Sequence, residues 1–314
     1  MKRALSSILK LSVSVLLLYY LLHNAQLDEF SDIVTTASAL YLGAAVLFFV
    51  LSNGLGALQW HVLLRAQQLP IRFRQSLVLY WIGVFFNNVL LGNIGGDALR
   101  IYDIRRLTGE GTGGAAATFM DRFIGLFSTC TLALVAYLAV PQVREAKPVM
   151  MLFPIWLALI GLLCMGLSQH VGWFIERLAR RLLPEPVAKL LGDLRLRIVV
   201  YRHRLGLLLA VWLVPLGVQA CRILVYWMAG LAVGMEVSLV FYIAFQPVAA
   251  IVAALPISIG GLGVRENVLV ELFGHVGTPS SLAFAMSLLG YAAGIVASLL
   301  GGIAFVLRRI ERQA

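Results

Sequence analysis

Charge is scarce in this sequence: Asp, Glu, Lys and Arg make up 13% of its 314 residues, 61% are hydrophobic, and the mean hydropathy is +0.90. A soluble domain is about a quarter charged and about half apolar, so a water-soluble fold is excluded. Cysteine is scarcer still. Cys130, Cys164 and Cys221 lie singly in apolar runs without metal-ligand spacing and read as small core residues. The five histidines, His23, His61, His170, His203 and His275, are scattered near expected helix ends. No Walker loop, HExxH helix or nucleophile elbow is present, so the usual enzyme signatures are missing. Gly92-Asn93-Ile94-Gly95-Gly96 follows an apolar run rather than a strand, which argues against a dinucleotide loop, and no cofactor is implied. The period-two alternation of a membrane barrel is also missing. Long unbroken apolar runs remain, and in hydrocarbon these imply helices that satisfy their own backbone.

The net charge of +10 is carried by short basic clusters between those runs. That is the positive-inside pattern, and it points to an anionic lipid surface rather than nucleic acid. Lys2, Arg3 and Lys10 precede the run 11–22. No small-residue cleavage site follows in His23-Asn24-Ala25-Gln26, so this reads as a first span rather than a signal peptide. An acidic loop with Asp28, Glu29 and Asp32 comes next, then a span at 37–58 and the basic residues Arg65, Arg72 and Arg74. Further spans are expected at 115–140, 149–168, 205–233 and 281–307, the last ending in Arg308, Arg309 and Arg312. The segment 177–204 carries Arg177, Arg180, Arg181, Lys189, Arg195, Arg197, Arg202 and Arg204. It reads either as a solvated cytoplasmic loop or as an amphipathic linker on the membrane surface, with Leu178, Leu182, Leu190, Leu194 and Ile198 as its apolar side.

Two apolar runs end in glycine-rich, polar backbone where a membrane helix should continue. The first leads into Gly92-Asn93-Ile94-Gly95-Gly96-Asp97-Ala98-Leu99-Arg100, and the second into Pro256-Ile257-Ser258-Ile259-Gly260-Gly261-Leu262-Gly263-Val264-Arg265-Glu266. Ile94-Gly95-Gly96 with Arg100 is echoed by Ile259-Gly260-Gly261 with Arg265. Basic flanks on both sides of 76–106 require that segment to enter and return on the cytoplasmic side. Parity from the 177–204 linker to the basic tail requires 239–275 to enter and return from the other side. Pro247 and Pro256 bracket the apolar half of that second segment and read as helix breakers. The expectation is an all-α polytopic membrane protein in a single domain over 1–314, with six full spans and two re-entrant hairpins in an inverted repeat. Irregular backbone at membrane depth is tolerated where it is buried in protein or lines a wet cavity, and paired interruptions mark binding sites.

Charge within apolar runs is costly and tied to pairing or function. The candidates are Asp97, Arg100, Asp121, Arg122, Arg222, Arg265 and Glu266. One reading makes them internal ion pairs that hold a broken-helix core together. The other has the arginines facing a central cavity and binding an anionic headgroup through the planar guanidinium fork. In the second reading Gly95, Gly96, Gly260 and Gly261 add exposed amides at half-helix N-termini. Asn87, Asn88, Asn93, Gln246 and Ser258 either add neutral hydrogen bonds there or satisfy the backbone that the broken helices leave open.

Gly95-Gly96-Asp97-Ala98-Leu99-Arg100, Asp121-Arg122-Phe123-Ile124-Gly125-Leu126 and Leu255 to Glu266 together resemble the transmembrane, flippase-like family of lysylphosphatidylglycerol synthases. The resemblance covers nearly the whole chain, the third motif being the most specific. The family often has Glu where Asp121 stands and Pro-Gly where Leu91-Gly92 stands. The resemblance implies lipid translocation between leaflets. No aminoacyl-transferase domain follows within this sequence, so a stand-alone member is implied that does not make lysyl-phosphatidylglycerol itself. Such members are associated with glycolipid or polyprenyl-phosphate pathways.

The function expected is therefore a non-enzymatic lipid flippase for an anionic phospholipid or lipid-linked phosphate. With no nucleotide motif it runs downhill or on an ion gradient, for which Asp97 and Glu266 are the candidate proton carriers. The alternatives are a membrane transferase on a polyprenyl-phosphate carrier and a non-transporting scaffold that holds a partner through the 177–204 linker. The expected location is the bacterial cytoplasmic (inner) membrane, multi-pass with both termini cytoplasmic, in a form compatible with an oligomer.

Overall fold

A computed structural model describes residues 27–89, 95–145, 147–167, 177, 181–182, 184–203, 205–255, 258 and 261–311. The first expected span, 11–22, lies outside them, as do Asn93, Pro256 and Gly260. In chain order the helices are α1 (Leu27–Thr36), α2 (Ala39–Ala66), α3 (Phe73–Val89), α4 (Gly95–Thr108), α5 (Gly111–Ala139), α6 (Lys147–Met150), α7 (Leu152–Leu167), α8 (Glu185–Val199), α9 (Leu205–Ala232), α10 (Leu239–Ala254), α11 (Val264–Gly274) and α12 (Ser280–Glu311). Short 3-10 turns lie at Pro141–Glu145 and Val200–His203. The described residues contain no strand.

Among the described residues five stretches are long and apolar enough to cross a bilayer: Ala39–Ala66, Gly111–Ala139, Pro148–Met165, Leu213–Ala232 and Ser280–Arg308. They coincide with five of the six expected spans. The 28-residue α2 is about 42 Å long, more than a hydrocarbon core requires. Its sequence explains which way it faces. Leu40, Leu47, Leu51 and Leu58 form an exposed apolar stripe, while Ser52, Asn53, Gln59 and Trp60 fall on the buried side. In α12, Val296, Leu299, Leu300 and Ile303 are exposed and Ser281, Ser287 and Ser298 are buried. Apolar outside and polar inside is the inverse of a soluble helix. It satisfies a lipid surface while keeping hydrogen-bonding groups where they find partners.

The helix ends gather at two poles. At one, the Gln67 side chain donates to the Arg197 carbonyl at 2.8 Å, and the Tyr201 hydroxyl donates to the Leu63 carbonyl at 3.2 Å. Arg197 also pairs with Glu110 at 2.6 Å, and Arg308 clasps Asp103 with two bonds of 2.6 and 2.7 Å. These contacts bring the ends of α2, α4 and α12, the start of α5 and the linker helix α8 together, so the basic segments share one pole. At the other, the Ser38 amide donates to the Ala232 carbonyl at 2.9 Å, which joins the start of α2 to the end of α9. The pair α3–α4 starts and finishes at the basic pole. The pair α10–α11 follows the end of α9 and leads into the start of α12, so it starts and finishes at the opposite pole.

Two expectations need correction. Cys164 is exposed rather than in the core, because it lies on the outer side of α7 where an apolar thiol is acceptable to lipid. Pro247 does not break its helix. α10 runs through it to Ala254, since neighbouring helices in a membrane bundle can absorb the lost hydrogen bond.

Candidate functional site

The first helix pair is held by glycine. A Cβ at Gly96 would overlap the carbonyl oxygen of Gly83, so the legs α3 and α4 approach as closely as only Gly allows. The Gly96 amide, in the first turn of α4, donates to Asn87 Oδ1 at 2.8 Å. Asp97 lies beside it in the same turn, where a carboxylate complements the positive end of the helix.

A four-membered ion network grows from that turn. One turn along α4, Arg100 is 3% exposed, and its guanidinium donates to Asp97 Oδ1 at 2.6 Å and to Asp121 Oδ2 at 3.3 Å. From α5, Arg122 makes a two-pronged contact with Asp97, Nε to Oδ2 at 2.8 Å and Nη2 to Oδ1 at 3.0 Å. Gln59 donates to Asp121 Oδ1 at 2.9 Å, and Asn87 donates to Asp97 Oδ1 at 3.3 Å. The Arg100 guanidinium also lies 5.0 Å from the centre of the Trp60 ring and 4.8 Å from that of Tyr80. Two carboxylates thus balance two guanidiniums, the arrangement in which buried charge is tolerated. Arg122 differs from Arg100 in leaving half its side chain exposed.

The second pair repeats the chemistry with other partners. Gly263 caps α11, and its amide donates to the Glu266 carboxylate at 2.6 Å. Arg265, next in sequence, lies 4.6 Å over the Tyr291 ring and beside Tyr226. Both arginines face one cavity of about 450 Å³ in the middle of the bundle. Arg122 and Arg222 line it as well, together with the amides Asn53, Gln59, Asn87, Asn88, Gln219 and Gln246 and the tyrosines Tyr80, Tyr226 and Tyr291. Among the described residues Arg222 has no ion-pair partner, so its charge faces the cavity uncompensated by a carboxylate.

Residues 7–302 match the family described as the lysylphosphatidylglycerol synthase TM region. This chain belongs to that family. It is also similar to a UPF0104 membrane protein of Pyrococcus horikoshii, 22% identical over an alignment of 335 positions that covers 98% of each chain. A UPF0104 membrane protein of Methanothermobacter thermautotrophicus is 24% identical over 283 aligned residues, 79% of this chain and 78% of the relative.

In this family member the structure brings Asn87, Asn88, Arg100, Asp121, Arg122, Arg222 and Arg265 to the cavity wall, with Asp97 directly behind two of them. It does not bring Ser258 or Glu266 there. Both are buried away from it, Glu266 because its carboxylate turns back to cap its own helix. Gly96 and Gly261 serve packing rather than an open amide cradle. Gly95 starts α4, the Gly96 amide is taken by Asn87, and Gly261, at φ +79°, turns the chain against Ala253. Gly260 lies outside the described residues. The positive ends of α4 and α11 are thus each met by a carboxylate of the protein itself, Asp97 and Glu266. That leaves the arginine and amide side chains as polar groups that face the cavity. Sequence reasoning missed Asn53, Gln59 and Gln219, although amides in the middle of long apolar helices are a legible signal. The three tyrosines had no such signal, since an aromatic residue in an apolar run is usually core.

Proposed function

We propose that this chain is a lipid transporter that moves an anionic phospholipid or lipid-linked phosphate between leaflets, with no catalytic step. The observation that carries the proposal is one cavity, inside an apolar-surfaced bundle, lined by Arg100, Arg122, Arg222 and Arg265 from both halves of the chain. Moving a phosphate through hydrocarbon strips its water at a large cost, and guanidiniums with amides replace that water. A volume of about 450 Å³ suits a headgroup but not acyl chains, so the chains stay in the bilayer while the headgroup crosses.

The opposite poles of α3–α4 and α10–α11 support an inverted repeat, in which each broken pair reaches the cavity from one membrane face. With the basic pole in the cytoplasm, positive-inside orientation puts the C-terminal end of α12 there too. The membrane proposed is the cytoplasmic one, and the archaeal relatives named above extend the reading beyond bacteria. Transport runs downhill or on an ion gradient. Asp97 is a poor proton carrier in this arrangement, because two guanidiniums hold it.

The test is leaflet exchange in proteoliposomes of purified protein, with a fluorescent anionic lipid quenched from outside only. Exchange above empty vesicles is expected, weakened by Arg222→Ala. If phosphatidylglycerol and polyprenyl phosphate both exchange no faster than in empty vesicles, the proposal fails.

A further inference from the structure

We propose that the groove where α3 starts and α4 and α12 end is a docking site for an anionic phospholipid, separate from the central cavity. The groove encloses about 380 Å³ and is walled by Arg72, Arg74, Val78, Leu79, Leu107 and Arg308. Arg72 and Arg74 flank the start of α3 and are exposed, and among the described residues neither has an ion-pair partner. Arg308 is different. Its guanidinium is clasped by Asp103, which fixes the end of α12 as a wall and removes most of its charge from play.

The level of the groove in the bilayer identifies the occupant. The apolar stretch of α12 runs from Ser280 to Arg308, so Arg308 marks the depth where hydrocarbon gives way to headgroups. Arg72 and Arg74 share the groove with Arg308 and so stand at that depth. Val78 is four residues further into α3, about 6 Å deeper. Val78, 38% exposed, is an apolar floor on the hydrocarbon side of two uncompensated cations, and Leu107, 46% exposed near the end of α4, is an apolar wall beside them at the headgroup level. A phosphate at Arg72 and Arg74 would place its acyl chains along Val78 and its glycerol beside Leu107. A free phosphate would leave that floor uncovered, and an acidic protein segment would have to enter hydrocarbon to cover it. The site holds whether or not the central cavity transports lipid, because its arginines and its apolar floor belong to a different surface.

The test is photolabelling of the full-length protein in phosphatidylcholine nanodiscs with a minor fraction of diazirine-bearing phosphatidylglycerol, with cross-linked peptides mapped by mass spectrometry. Labels are expected on the peptides holding Val78 and Leu107 and should be displaced by excess phosphatidylglycerol. They should persist in Arg222→Ala, whose change lies in the cavity. The double variant Arg72→Gln/Arg74→Gln should weaken displacement by about thirtyfold, the loss expected for two basic groups at an anionic interface. Both side chains are exposed, so folding should be unaffected. Leu107→Gln is a second route, expected to lower labelling without changing charge. Unchanged affinity in the double variant, equal displacement by phosphatidylcholine, or displacement by soluble glycerol phosphate as effective as by the lipid would each overturn the proposal.

Discussion

Arg100 and Arg122 belong to one ion network, and neutralising each should have opposite consequences. Arg100→Gln removes a guanidinium that is 3% exposed and leaves Asp121, whose side chain is 6% exposed, with Gln59 and without its direct ion-pair partner. Breaking a buried pair from one side costs about 3–5 kcal/mol, because the remaining charge is stranded in a low dielectric. Loss of the stacking on Trp60 and Tyr80 adds to this, at about 1 kcal/mol for each desolvated ring contact. Arg122→Gln removes a side chain that is 50% exposed, and Asp97 keeps the 2.6 Å bond from Arg100. With Arg122 half exposed and Asp97 15% exposed and still paired to Arg100, this contact costs less to break than the fully buried one. Thermal unfolding in detergent, followed by tryptophan fluorescence and by the fraction still monodisperse on gel filtration, should therefore separate the two. Arg100→Gln should melt well below the unmodified protein, and Arg122→Gln close to it. In the leaflet-exchange assay Arg122→Gln, although folded, should slow anionic lipids, because a cavity guanidinium is gone. Equal melting of the two variants would refute the assignment of Arg100 to structure and Arg122 to the ligand.

Gly96→Ala should force α3 and α4 apart at the Gly83 carbonyl and cost about 1–3 kcal/mol, read as a lower melting temperature. Asp103→Asn breaks the two-pronged clasp on Arg308, whose partners are 6% and 18% exposed. The amides at the end of α12 should then exchange hydrogen faster, while those around Arg265 are unchanged. Glu266→Gln weakens the cap on Gly263 by about 1 kcal/mol, which hydrogen exchange in the first turn of α11 would report. Arg222→Ala should leave the melting temperature near that of the unmodified protein and slow anionic-lipid exchange by about tenfold, the loss of one charge-assisted hydrogen bond.

Much of the site was legible because charge in an apolar run is conspicuous. Arg222 lies within an otherwise apolar helix, and Asp121-Arg122 interrupts another, so both stood out without coordinates. What each charge does could not be read the same way. Asp97, Arg100, Asp121 and Arg122 form one ion network, and all but Asp97 are also part of the cavity wall. Ser258 and Glu266 looked equivalent to their neighbours in the motif, but a single rotation along the helix turns Glu266 onto Gly263 while Arg265 faces the cavity. Residues one apart on a helix point about 100° apart, and a motif written in one dimension does not say which of them faces the ligand.

The sequence by itself determined that the protein is an all-helical membrane bundle, where five of its spans run, and which backbone is broken by glycine. Hydrocarbon thickness and the cost of unsatisfied peptide groups act on any chain of this hydropathy, whatever its tertiary contacts. Only the tertiary structure decided that the half-helix ends are already met by Asp97 and Glu266, that Tyr80, Tyr226 and Tyr291 share the cavity, and that Arg222 faces it without a carboxylate. Those facts depend on which side chains from distant segments meet, and pairing consumes charge through distances of about 3 Å that local sequence does not encode.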